Sequence, residues 1–135
     1  MDQVMNFEHF FECRSVFTLQ EVELFLRSEG SCDRQALKLF LSRACRKGNM
    51  GRIRRGLYYL VPSDDSPKTC WVDLHLAAAL MAWDAVLAYT SALEYHLDID
   101  APVTERVFFL TDQKVRPTHF RSFHFTPCTT SRHLR

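Results

Sequence analysis

Residues 31–62 read SCDRQALKLFLSRACRKGNMGRIRRGLYYLVP, and within them Arg34, Lys38, Arg43, Arg46, Lys47, Arg52, Arg54 and Arg55 stand against a single acid, Asp33. The stretch carries a net +7 in a chain whose formal net charge is +1. Charge gathered in this way is the footprint of a surface that meets a polyanion. At about 3.6 residues per turn, Ala36, Leu37, Phe40, Leu41 and Ala44 fall on one side of a helix, while Arg34, Gln35, Lys38, Ser42, Arg43 and Arg46 fall on the other. Gly48 is placed to end that helix after Lys47, because glycine enters left-handed backbone without a Cβ clash. Arg52-Ile53-Arg54 and residues 57–61 are short β-prone runs meeting at Arg55-Gly56, with Pro62 behind them. A basic helix followed at once by a basic hairpin predicts the recognition helix and wing of a winged helix-turn-helix.

Upstream, Val4, Phe7, Phe10 and Phe11 recur at helical intervals and predict a first helix over residues 2–14. Thr18-Leu19-Gln20-Glu21 has the form of a capping box, flanked by Phe17 and Val22 as a hydrophobic staple, so a second helix should begin at Leu19. That helix, a turn at Ser28-Glu29-Gly30 and the basic helix make a helix-turn-helix, whose later helix enters the major groove with its N-terminal residues toward base edges. Arg and Gln make bidentate pairs with guanine and adenine, so sequence readout is assigned first to Arg34 and Gln35. Lys38 and Ser42 are placed to reach bases or phosphate, Arg43, Arg46 and Lys47 to touch backbone, and Arg52, Arg54 and Arg55 to grip phosphate or enter the minor groove. A charged helix face is often only a solvated one. Three arginines around a hairpin tip, in a chain otherwise mildly acidic, tilt the balance toward nucleic acid.

With 135 residues, 47% hydrophobic and 24% charged, the chain has the material for a folded core and is not of disordered composition. Five scattered cysteines with no C-x-x-C fit a reducing cytoplasm. The opening Met1-Asp2-Gln3, followed by Glu8 and Glu12, lacks a signal-peptide pattern. The longest apolar run, 74–83, contains His75 and is too short for a bilayer core of about 30 Å, so no membrane partner is expected.

Beyond Pro62, the polar, proline-bounded residues 63–69 read as a linker. Asp73 is placed to cap a helix through Met81, and Asp84 to begin another through Tyr95. Residues 106–111 predict a buried strand and 120–125 a further one, with Arg116-Pro117 in the turn between. The fold class expected is mainly α with small β: a winged helix-turn-helix DNA-binding domain over 1–62, a linker over 63–72 and a partial α+β domain over 73–135.

VFTLQEV, SRACRKGNMGRIRRGLYYLVP, DAVLAYTSALEYH and VFFLTD together resemble the AbiE-type (AbiEi) antitoxins of bacterial type IV toxin–antitoxin systems, often described as transcriptional regulators. The resemblance runs from about Phe17 to Phe125 and is most specific through the wing. It implies a repressor that autoregulates its operon by binding inverted repeats in double-stranded operator DNA. It also implies a C-terminal domain that counters a nucleotidyltransferase-like toxin without a stable complex. Carried onto this chain, DNA contacts fall on Arg34, Lys38, Ser42, Arg43, Arg52, Arg54 and Arg55. Three departures stand out: Leu97-Asp98 follows His96 where the family often has glycine, family members usually continue well past the point where this chain gives way to residues 126–135, and Asp33, placed to cap the basic helix, sets an acid where phosphate will be near. The second implies an incomplete antitoxin domain. The alternative is an interaction module that counters such a toxin without itself binding DNA.

No catalytic set, cofactor loop or metal site is expected, and the chain is read as not an enzyme. His119, His124, Cys128 and His133 match no zinc-finger spacing. Tyr89, Thr90, Ser91, Glu94 and His96 sit within one helix, with no oxyanion-hole or phosphate-loop sequence beside them. His96 is taken as a satisfied interior or boundary residue.

Overall fold

Val16, Phe17 and Thr18 are β-branched or aromatic, and they form β1 (Val16–Thr18), the first element of a computed structural model that describes residues 14–28, 30, 33–99, 102 and 105–129. The chain divides after Val72 into two units. In the first, β1 leads into α1 (Leu19–Ser28) and α2 (Arg34–Lys47), followed by the hairpin β2 (Met50–Arg54) and β3 (Leu57–Leu60). The sheet is antiparallel in the order β1-β3-β2, with Val16 opposite Tyr59 and Arg52 opposite Tyr58.

The capping box forms as its spacing requires. The Thr18 amide donates to Glu21 Oε1 at 2.9 Å and the Glu21 amide donates to Thr18 Oγ1 at 3.1 Å, satisfying two free amides of α1 reciprocally. At the other end of the unit's helical pair, Gly48 takes φ 84°, its amide donating to the Cys45 carbonyl and the Asn49 amide to that of Ala44. This Schellman arrangement ends α2 and sends the chain into β2. Phe17, Val22, Leu26, Leu37, Leu41, Ala44 and Met50 make the core between helices and sheet, with Phe40, Tyr58 and Leu60 packed at its margin.

Side chains alternate along β3, so Tyr58 and Leu60 face the helices while Leu57 and Tyr59 face away, and Leu57 and Tyr59 are buried as well. Residues 63–72 account for part of that second covering. The Tyr59 hydroxyl donates to the Pro67 carbonyl at 2.6 Å, and Cys70 and Val72 are buried. The stretch expected as a linker therefore belongs to the first unit.

The second unit comprises α3 (Leu74–Ala79), β4 (Val86–Leu87), α4 (Tyr89–His96), β5 (Arg106–Leu110), β6 (Thr118–Phe120) and β7 (Phe123–Cys128). Its sheet runs β4-β5-β7-β6, with β5 and β7 parallel and the edges antiparallel. Asp73 caps α3 by accepting from the Leu76 amide at 3.1 Å. Val107, Phe109 and Phe125 are fully buried in the central strand pair.

Strand holds 26% of the described residues against 35% in helix, spread over two sheets of three and four strands. The molecule is α+β, and the expected class, mainly α with small β and led by a winged helix-turn-helix, is overturned. In the first unit the described residues form two helices on a three-stranded sheet that is covered on both faces, and the helix expected over 2–14 falls almost wholly outside them. Two local expectations in the second unit also fail. Asp84 begins no helix: its carboxylate instead accepts from Thr111 Oγ1 at 2.5 Å and from the Asp112 amide at 3.0 Å, leaving Val86-Leu87 to pair with β5. Residues 120–125 are not one strand, because Arg121, at φ 56°, turns the chain between β6 and β7. Among the described residues no helix is long and apolar enough to cross a membrane.

Candidate nucleic-acid interface

Helix α2 is set by its ends and its buried side. Asp33 caps it, accepting from the Gln35 amide at 3.0 Å and the Ala36 amide at 3.4 Å, which gives this acid a structural role at the head of a basic helix. Leu37, Leu41 and Ala44 are buried and turn the opposite face outward. Gln35, Lys38, Leu39, Ser42, Arg43, Arg46 and Lys47 are exposed on that outer face and its flanks. Ala36, expected on the packed side, is exposed too.

The hairpin brings further cations beside the helix. Arg52 lies opposite Tyr58, whose ring stacks on Phe17 with centroids 5.9 Å apart, so Arg52 projects on the helix side of the sheet. Its charge is felt at the end of α2: burial pushes the Cys45 thiol up, and Arg52 draws it part of the way back. Burial likewise raises the Tyr58 phenol, with the Cys45 thiol adding to the rise and Arg52 opposing both. Arg55 is exposed in the turn with Gly56, which takes φ 83°. Arg54 follows an irregularity in the β2–β3 register and is half-buried, and burial lowers its pKa. It is drawn inward where Arg52 and Arg55 are not.

Arg34 is the residue whose placement differs most from its expected role. Its Nε lies 3.4 Å from Glu23 Oε1, and Arg27 Nη2 approaches the other oxygen of the same carboxylate at 3.8 Å. Glu23 is only 8% exposed, and a carboxylate removed from water is costly without a cationic partner. Arg34 thus leans toward α1, although its side chain stays 62% exposed beside Gln35. Lys38, Arg43, Arg46, Lys47, Arg52 and Arg55, by contrast, have no carboxylate at ion-pair distance among the described residues. Glu23 and Leu39 escaped the sequence reading. Leu39 was findable, because it stands four residues after Gln35 and three before Ser42, in the same helical row.

No protein-family model, curated protein or solved structure matches this chain.

The second unit places the other candidates. His75 and Glu94, both 4% exposed, meet at 3.0 Å from Nε2 to Oε1 and tie α3 to α4. Ser91 Oγ accepts from the Phe108 amide at 2.9 Å, so this hydroxyl anchors a strand. His96 is exposed, contrary to the interior or boundary role expected of it, and His75 is the interior histidine. His119 and His124 are cross-strand partners whose rings stack at 4.3 Å. His133 lies outside the described residues, and among those described no group of three or more His, Cys, Asp or Glu side chains is placed to hold a metal ion.

Proposed function

We propose that this protein binds duplex DNA through the outer face of α2 and the β2–β3 hairpin, and represses transcription by occupying an operator. The observation that carries the reading is the set of six cations, Lys38, Arg43, Arg46, Lys47, Arg52 and Arg55, exposed on one helix and its adjoining hairpin with no carboxylate partner among the described residues. Surface cations on a soluble fold ordinarily alternate with acids; here the acids lie elsewhere. A helix about 10–12 Å across fits the major groove, about 12 Å wide, which would set Gln35 and Ser42 against base edges and the flanking cations against phosphates. The AbiE-type resemblance adds the finer expectation of autoregulation at inverted repeats in the operon of a nucleotidyltransferase-like toxin. A cytoplasmic location belongs to the same reading.

A salt titration of binding to a duplex tests it. If about five to seven phosphates are neutralised, the plot of log K against log salt falls with a slope of roughly −4.5 to −6. A flat response would remove the proposal.

A second reading, an interaction module that counters such a toxin, is favoured by the apolar surface of the second unit. Trp83, Val86, Tyr89, Leu93 and Leu97 are all more than half exposed. Tyr89, Leu93 and Leu97 follow one another at intervals of four along α4 and its C-cap, and a contiguous exposed apolar line is a feature of protein-binding surfaces. Leu93→Asp/Leu97→Asp in the full chain separates the two readings: protection from the toxin lost in this variant, together with a wild-type protein that binds no duplex at low salt, favours the second.

A further inference from the structure

The outer row of α2 contains one side chain that phosphate binding does not explain. Gln35, Leu39, Ser42 and Arg46 follow one another at intervals of four, three and four residues, which stacks them along a single line of the helix. Leu39 is 51% exposed, whereas Leu37 and Leu41 on either side of it in sequence are 3% and 0% exposed. It is neither in the core between helices and sheet nor among the residues packed at its margin. Its isobutyl group therefore stands in the middle of a polar and cationic face, one turn beyond Gln35.

Among the donors and acceptors that the base edges present in the major groove, the one methyl group is that on C5 of thymine. A 5-methylated cytosine presents the same group at the same ring position. Arg34 pairs with Glu23 at the flank of α2, and the uncharged side chains on the line opposite the buried Leu37 and Leu41 are Gln35, Leu39 and Ser42. We infer that Leu39 is a specificity-determining residue that packs on a pyrimidine 5-methyl group while Gln35 pairs with an adjacent base edge. The inference rests on the duplex-binding reading above and assigns to Leu39 a contact that a phosphate-only surface would lack.

The test uses the full-length protein and duplexes recovered by binding selection from a random pool. Each is prepared again with deoxyuridine in place of thymine, which removes the methyl and leaves the hydrogen-bonding edge intact. The wild-type protein should bind the uracil form about four-fold more weakly, the worth of one buried methyl group. In Leu39→Ala, which keeps a good helix former at an exposed position, the ratio should fall to about one, and Leu39→Met should restore part of it. A parallel arm replaces each cytosine by 5-methylcytosine. A gain there that the wild-type protein and Leu39→Met show and Leu39→Ala lacks identifies methylated cytosine as the source of the group, and a thymine effect alone identifies thymine. Either pattern supports the assignment. Equal binding of thymine and uracil forms together with no response to 5-methylcytosine, or a preference that survives Leu39→Ala, overturns it. Salt-sensitive duplex binding without methyl discrimination sinks only the role of Leu39, whereas failure to bind any duplex at low salt sinks the underlying reading and this inference with it.

Discussion

Two residues of this chain show how a side chain's position decides its chemistry. Gly51 lies opposite Tyr59, and a Cβ built on Gly51 would overlap the Tyr59 ring and hydroxyl. The ring crosses the glycine to reach the Pro67 carbonyl, so the space above Gly51 is already filled. Gly51→Ala should lower stability by about 1–3 kcal/mol in urea unfolding, the usual range for forcing extra volume into a packed site. Gly51→Ala/Tyr59→Ala should not lose the sum of the two single effects, because the clash is shared. Asp84 supplies the second case. Hydrogen bonds from Thr111 and then from the Asp112 amide hold its carboxyl below the ordinary value of 3.8. A carboxylate whose folded pKa is depressed contributes stability above its unfolded pKa and loses it as the pH falls through the folded one. Asp84→Ala should therefore be less stable than wild type at pH 7, and the gap should narrow below about pH 3.8; unfolding curves at about pH 7 and about pH 3 check the sign.

At the level of elements, what was legible in the sequence was what is settled within a few residues. The Thr18–Glu21 box, the Asp33 and Asp73 caps and the Gly48 stop each depend on groups two to five residues apart, and their residue types announce them. Asp33→Ala should cost about 1 kcal/mol of stability while leaving the far end of α2 intact, which hydrogen exchange along the helix reads directly: protection falls in the first turn only. Uniform loss along α2 would show that the cap does more than satisfy two amides. The missed elements are those whose partners are remote. β1 is three residues long and is a strand because residues 57–59 lie beside it. β4 was hidden in a helical pattern because Asp84 finds its partners 27 and 28 residues later. The β6–β7 turn was hidden because Arg121 gives no sign of the left-handed conformation it adopts. The same limit applied to the candidate site: the charge count of α2 was readable, but the capture of Arg34 by Glu23 depends on how α1 meets α2.

For the molecule as a whole, a net charge of +1 conceals a division between a cationic face and an acidic remainder. The isoelectric point of about 7.7 is consequently a poor guide to binding. Lysine and arginine keep their protons far above that pH, so raising the pH to about 8.5 makes the chain as a whole slightly anionic and leaves the face of α2 and the hairpin unchanged. Duplex affinity measured at about pH 7.0 and about pH 8.5 at constant salt should agree within about three-fold. A collapse across that interval would mean that total charge, not the local surface, drives association.

The parallel pairing of β5 with β7 imposes an order of events on the nascent polypeptide. An interior strand of the second sheet, Phe123–Cys128, is contributed by residues translated 51 to 56 positions after Val72, where the first unit ends. At roughly 5–20 residues per second, some 3–11 seconds separate the emergence of the one from that of the other. During that interval the ribosome would carry a finished cationic unit ahead of a sheet still lacking its middle.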